Sequence, residues 1–173
     1  MKKVILRYGL LATIVMIAFF FFNFAVGKQD YNLREILGYA AIILSLLFVY
    51  FGIRQYRDKV NGGVLSFGQG LKVGMLIVLL PAIAFGLFDL VYVAYIDPNF
   101  FEEYTAYHLA SIKSSLPPAE YEIQSKKMME ELAFFKNNPL IQFIVMAATV
   151  LIVGLIITII SSLILRRNKP AIA

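Results

Sequence analysis

Four long apolar blocks run through the sequence, and they constrain its fold more than any other feature. They hold 23, 18, 24 and 26 residues. Their positions are 4–26, 36–53, 73–96 and 140–165. An α-helix needs about 20 residues to cross the roughly 30 Å of hydrocarbon in a bilayer. Two charged residues interrupt the blocks, Arg7 and Asp89. The blocks therefore predict four transmembrane helices.

Two other interpretations of the apolar blocks fit less well. Four buried helices of a soluble bundle would carry polar faces, and these blocks carry none. A cleaved signal peptide would explain the basic start at Lys2 and Lys3. However, the first block is longer than the 7–15 apolar residues of such a peptide. With 60% hydrophobic residues and a mean hydropathy of +0.77, the composition favours an integral membrane protein.

Charge is distributed unevenly between the segments that join the blocks. Segments 1–7, 54–72 and 166–173 contain ten Lys and Arg residues and one acid, Asp58. The other two connections contain six basic and nine acidic residues. Because basic residues are retained on the cytoplasmic side of a membrane, this asymmetry predicts that both termini are cytoplasmic. The net charge of +5 follows from this pattern, so it does not indicate nucleic-acid binding.

The connections predict further local structure. Asn61-Gly62 favours a tight turn, because both residues tolerate positive φ. The segment from Ser66 to Gln69 fits a capping box, which would start the third helix at Phe67. Residues 97–139 predict two amphipathic helices, which would form an extracytoplasmic hairpin on the outer membrane surface or on the helix bundle. We therefore expect residues 1–173 to form a single all-α membrane domain.

The residue inventory argues against most kinds of catalytic chemistry. The chain contains no Cys and one His, His108. Disulfides, thiol catalysis and thiolate or multi-His metal sites are thus unsupported. The stretch "GGVLSFGQG" is rich in glycine but lacks the Lys-Ser/Thr pair of a phosphate-binding loop. We predict no enzyme activity, no catalytic residues, no cofactor and no metal.

Asp89 is the one acid inside an apolar block, and it defines the candidate polar site. It lies seven residues before the end of its block, about 10 Å below the outer boundary. An acid near mid-bilayer costs roughly 2.5–3.5 kcal/mol on insertion scales, so it needs a partner. The polar residues at comparable depth on the other predicted helices are Asn23, Tyr39, Gln142 and Thr149. Asp89 either joins helices through hydrogen bonds or binds a proton or cation.

Several stretches resemble a known family. They are "GGVLSFGQGLKVG", "YIDPNFFEEY", "LPPAEYEIQSKKM" and "IISSLILRR". Together they resemble the small Bacteroidota membrane proteins of domain of unknown function 4199, over nearly the whole chain. The resemblance implies a bacterial inner-membrane protein with four helices. It implies no activity and no functional residues.

These observations predict a multi-pass protein of the bacterial cytoplasmic (inner) membrane. The leading hypothesis is a non-enzymatic structural or accessory component that acts through helix contacts or its outer hairpin. Its partners would be the lipid bilayer and either a second copy of the chain or another membrane protein. The alternative hypothesis is a small transporter or channel that uses Asp89.

Overall fold

A computed structural model of the chain describes residues 1–26, 31–113 and 115–167. Nearly all of these residues are helical, and the described ranges contain no β-strand. One isolated β-bridge joins Leu65 to Arg167. Part of the predicted first outer loop, residues 27–30, and the end of the predicted cytoplasmic C-terminus, residues 168–173, lie outside the described residues.

Six α-helices follow one another in the residues that the structure describes. They are α1 (Lys2–Val26), α2 (Tyr31–Gln55), α3 (Phe67–Val91), α4 (Phe100–Lys113), α5 (Pro118–Asn137) and α6 (Pro139–Leu165). A π-helical turn extends α2 over Tyr56–Val60, and another extends α3 over Tyr92–Ile96. With these extensions, α1, α2, α3 and α6 are long and apolar enough to cross a membrane. The prediction of an all-α chain with four such helices is therefore confirmed.

The four long helices expose large apolar side chains along their length. The exposed residues include Leu10, Ile14, Leu47, Ile83, Ile152 and Leu163, each at least 44% accessible. A soluble protein rarely leaves so much contiguous apolar surface uncovered. In lipid the same surface costs nothing, because acyl chains are as apolar as the side chains themselves.

The fold divides into two units, which are described separately. The larger unit comprises Met1–Phe85 and Ala147–Ala173, and the smaller unit comprises Gly86–Met146. In the larger unit α1 and α2 are antiparallel neighbours. A Cβ built on Gly52, near the end of α2, would lie 3.2 Å from the Cβ of Tyr8, near the start of α1. At the opposite end of this helix pair, a Cβ built on Gly38 would lie 3.8 Å from Asn23 Nδ2.

Small residues bring α3 and α6 together within the larger unit. A Cβ built on Gly70 would lie 2.6 Å from Ser162 Oγ, and one built on Gly74 would lie 2.9 Å from Thr158 Oγ1. One turn beyond Gly74 the roles reverse, because Gly154 of α6 faces Val78 of α3. Contacts at every fourth residue, with opposite chain directions, define an antiparallel pair whose backbones approach closely.

The link between α2 and α3 confirms one local prediction and corrects another. The Ser66 amide donates to Gln69 Oε1 at 3.0 Å, and the Gln69 amide donates to Ser66 Oγ at 3.2 Å. This is the predicted capping box, and α3 starts at Phe67 as expected. In the turn, however, positive φ occurs at Gly62 and Gly63, not at Asn61. Asn61 instead uses its side chain to bond Val64 O at 2.8 Å.

The smaller unit contains α4 and α5, which contact one another. Both helices lie within residues 97–139, the segment in which the sequence predicts two amphipathic helices. A row of ring contacts runs along this unit, with centroid separations of 4.2–6.1 Å. Its members, in order, are Phe88, Tyr92, Phe100, Tyr104 and His108. These rings supply apolar contact to a unit with few fully buried side chains, and they join α4 to the end of α3.

Candidate functional site

The candidate polar site is a side-chain pair that joins α3 to α6 in the smaller unit. Gln142 Nε2 donates a hydrogen bond to Asp89 Oδ2 at 2.6 Å. Gln142 is almost fully buried, with 2% of its surface exposed, and Asp89 is half-buried. Gln142 is one of the four partners that the sequence suggests for Asp89, and this hydrogen bond joins it to the carboxyl group.

Close packing one turn away explains why these two side chains meet. A Cβ built on Gly86 would lie 2.6 Å from Phe143 Cδ2 and 2.9 Å from the Phe143 carbonyl oxygen. The α3 backbone therefore lies directly against α6 at this point. Residues three apart share a helix face, so Asp89 follows Gly86 on the side that faces α6. Gln142, adjacent to Phe143, is then within reach of the carboxyl group.

The pair satisfies part of the hydrogen-bonding demand that burial imposes. A polar side chain without a partner in an apolar environment is costly, and a charged one is more so. An amide N–H can donate to a carboxyl oxygen whether or not the carboxyl group carries a proton. The arrangement can therefore link two helices in either protonation state of Asp89.

The structure assigns the three remaining predicted site residues to the larger unit. Asn23 is 7% exposed, and its Nδ2 donates to the Arg34 carbonyl oxygen at 2.8 Å. This bond ties the end of α1 to the first turn of α2. Tyr39 is 50% exposed, so its ring faces outward from the chain. Thr149 is half-buried on α6. Asp89 and Gln142 are thus two predicted site residues that a hydrogen bond joins.

Sequence reasoning missed a second polar feature, in the larger unit. The hydroxyl groups of Thr158 and Ser162 are buried, and neither makes a hydrogen bond to the described residues. Both face glycine backbones of α3, at Gly74 and Gly70. The available sequence signal is the spacing of Gly70 and Gly74, which forms a GxxxG pattern. It indicates a close approach, but it does not name the partner helix.

A family comparison bears on the whole of this arrangement. A family model with the description "Protein of unknown function (DUF4199)" matches residues 7–167. The chain belongs to this family. The DUF4199 match spans both the Asp89–Gln142 pair and the Gly70–Ser162 contact, and it confirms the resemblance drawn from the sequence motifs. No curated protein and no solved structure matches this DUF4199 chain.

The chemistry open to this DUF4199 protein is narrow in the part that the structure describes. Within residues 1–26, 31–113 and 115–167, no group of three or more His, Cys, Asp or Glu side chains is placed to hold a metal ion. Asp89 offers a single carboxyl group, which can accept hydrogen bonds and exchange one proton.

An ion pair joins α4 and α5, the two helices that lie outside the four long apolar helices. Lys136 Nζ of α5 donates to Glu102 Oε1 of α4, and both side chains are more than half exposed. The hydrogen bond from Lys136 holds the pKa of Glu102 below its ordinary value. At such an exposed position the pair contributes little stability, because solvent screens the interaction. The pair joins the first turn of α4 to the last turn of α5.

Proposed function

We propose that this DUF4199 protein is a non-enzymatic, multi-pass component of a bacterial cytoplasmic membrane, with a structural or accessory role. The observation that carries the proposal is the hydrogen bond from Gln142 to Asp89. The one carboxyl group in the apolar blocks is engaged by the neighbouring helix. That use of an acid is typical of a helix contact.

The charge distribution supports an orientation for this component. Both termini and the α2–α3 link would be cytoplasmic, with the hairpin of α4 and α5 on the outer surface. Nine of the eleven acids lie in the two outer connections, and one, Asp58, lies in the inner segments. This placement follows the rule that basic residues stay inside. The family resemblance supports a source among the Bacteroidota.

The accessory role requires a partner within reach of the exposed surface. The partner would be a second copy of the chain or another membrane protein, bound through the spanning helices or through α4 and α5. Exposed apolar side chains are present on both, such as Ile152 on α6 and Ile123 on α5, at 62% and 70% accessible.

Photocrosslinking in native membranes tests this role. A photoreactive amino acid replaces Ile123 in one variant and Ile152 in another. A partner that contacts either surface yields a protein adduct of discrete mass, which mass spectrometry identifies. Adducts with lipid alone, at these two positions and at further exposed positions on all six helices, would refute an accessory role.

A small transporter or channel is the second candidate function. The observation that favours it is the ionisable Asp89 in an otherwise apolar segment, since such groups often belong to ion or proton pathways. Ion and proton flux into vesicles that contain the purified protein tests it, with Asp89→Asn as the diagnostic variant. Glu122→Gln, on the exposed surface of α5, is the matched control. Flux that Asp89→Asn abolishes and Glu122→Gln preserves would replace the accessory role with a transport role.

A further inference from the structure

Six exposed cations gather at one end of the larger unit, which we call the basic end. They are Lys2, Lys3, Lys59, Lys72, Arg166 and Arg167. The fold assembles this end from four places in the chain: the start of α1, the π-helical turn after α2, the second turn of α3 and the residues after α6.

Contacts between the helices show that these four places lie together. Gly52, near the end of α2, packs against Tyr8 in the second turn of α1. Gly74 of α3 faces Ile53 of α2 as well as Thr158 of α6. The start of α1, the end of α2, the start of α3 and the end of α6 are therefore neighbours.

Cations outnumber acids in the described segments of the basic end. Asp58 is the one acid in its described segments. Arg57 binds that carboxylate through two nitrogens, at 2.6 and 3.2 Å, and Arg54 lies 3.8 Å from it. No described acidic side chain lies within ion-pair distance of the six cations of the basic end. Lys59 also interacts with the neighbouring Asp58, but the basic end keeps an excess of positive charge that can attract an anion.

Backbone hydrogen bonds fix the segment that carries two of the cations, Arg166 and Arg167. The Leu65 amide donates to the Arg167 carbonyl oxygen at 2.9 Å, and the Arg167 amide donates to the Leu65 carbonyl oxygen at 3.0 Å. Arg57 Nη1 also donates to the carbonyl oxygen of Leu165 at 3.3 Å. The segment that carries Arg166 and Arg167 is therefore ordered before any ligand arrives, which lowers the entropic cost of binding.

Apolar side chains flank the cations directly. Leu163 and Ile164, just before the arginine pair, are 57% and 66% exposed. Leu6, just after the first two lysines, is 54% exposed. An acidic protein or a nucleic acid would satisfy the cations and leave these side chains uncovered. A phospholipid satisfies both, because its phosphate meets the cations and its acyl chains cover the apolar groups.

We propose that the basic end binds anionic phospholipid headgroups selectively over zwitterionic ones. Helix length supports this location. A 25-residue helix is about 38 Å long, which exceeds the roughly 30 Å of hydrocarbon and carries its ends into the headgroup layer. The proposal rests on the membrane-spanning assignment of the four long helices. It adds a lipid class and a defined contact surface.

Photoactivatable lipids test the proposal with the full-length chain in vesicles. Two probes with identical acyl chains are used, one a phosphatidylglycerol and one a phosphatidylcholine, each at the same fraction in mixed vesicles. The readout is the ratio of protein labelled by the two probes. We expect a ratio of about three to ten for the unmodified chain, falling toward one at high salt. Both leaflets contain the same lipids, so the direction of insertion does not affect the ratio.

Three variants make the result specific. Arg166→Gln with Arg167→Gln should reduce the ratio at least twofold. Lys126→Gln with Lys127→Gln removes the same charge from α5 and should leave the ratio unchanged. Arg166→Lys with Arg167→Lys keeps the charge and should retain most of the preference, which separates a charge effect from misfolding. Equal labelling of the unmodified chain by both probes, or equal losses in the two Gln variants, would overturn the proposal. A chain that does not insert into either vesicle would instead refute the membrane-spanning assignment on which it rests.

Discussion

Gln142 and Asp89 lie 53 positions apart in the chain, and a 2.6 Å hydrogen bond joins their side chains across α6 and α3. Gly86 and Phe143, packed backbone to ring beside them, bring the two helices close enough for this bond to form. The pair and the close contact therefore depend on each other, since a wider helix separation would leave the carboxyl group without its amide donor.

The Asp89–Gln142 bond should be measurable as a coupling energy. We expect Gln142→Leu to destabilise the protein, because it leaves the carboxyl group without this donor. Hydrogen bonds between membrane helices contribute about 0.6 kcal/mol on average and up to about 1.7 kcal/mol. A double-mutant cycle with Asp89→Leu, read by unfolding in mixed detergent, should return a coupling in that range. A coupling of zero would mean that the bond does not contribute to folding.

The contact between Gly74 and Thr158 predicts a steric effect. A Cβ at Gly74 would overlap the Thr158 side chain, so we expect Gly74→Ala to destabilise the protein by about 1–3 kcal/mol. Gly68→Ala is the matched control, because nothing lies within 4 Å of a Cβ there. Thr158→Ala should restore part of the loss in the Gly74→Ala background. Equal stability of the two glycine variants would show that α3 and α6 do not pack in this register.

The capping box at the start of α3 predicts a position-specific loss. Ser66→Ala removes the acceptor of the Gln69 amide and should cost about 1 kcal/mol of stability. Ser66→Asp retains an acceptor at the same position and should keep most of that stability. Unfolding midpoints of the two variants provide the measurement, and identical midpoints would contradict the role of the hydroxyl group.

The Glu102–Lys136 pair predicts a pH dependence with a defined sign. The pKa of Glu102 is lower in the folded chain than in the unfolded chain. The pair therefore stabilises the α4–α5 contact at pH values above the pKa that Glu102 has in the unfolded chain. That contribution is lost as the pH falls through the lower, folded value. Carboxyl NMR titration should show the pKa of Glu102 rising in Lys136→Met. In Lys113→Met, which removes a lysine that does not contact Glu102, it should stay low.

The absence of Cys from the sequence makes the proposed orientation directly testable. Single Cys residues at Lys3 and Arg166 should react with a membrane-impermeant maleimide only after the cells are opened. A Cys at Glu122 should react in intact cells. The proposed topology would be excluded if the residues near the two termini reacted from opposite sides.

Much of the helical framework could be predicted from local sequence, because each signal is local. Apolar blocks define the four long helices, and Ser66 with Gln69 defines the start of α3. The turn before α3 is harder to predict from local sequence. Asn61 and the glycines after it all tolerate positive φ, and the choice among them depends on where the Asn61 side chain finds acceptors.

The candidate site could be predicted only in part, because it depends on helix register. The predicted depth in the membrane does not distinguish among the candidate partners of Asp89, which are Asn23, Tyr39, Gln142 and Thr149. The choice of Gln142 follows from the way α3 and α6 pack at Gly86, which is a long-range property. Likewise, the hydroxyl groups of Thr158 and Ser162 carry no signal in the sequence until their facing glycines are known.

Gln69 Oε1 accepts hydrogen bonds both from the Ser66 amide and from Asn61 Nδ2, the latter at 3.2 Å. One oxygen atom thereby couples the bend of the chain to the first turn of the helix that follows. These two hydrogen bonds restrain the segment between α2 and α3 relative to the first turn of α3. Inserting a single residue between Asn61 and Ser66 should therefore break the hydrogen bond from Asn61 to Gln69 and loosen the connection between α2 and the start of α3.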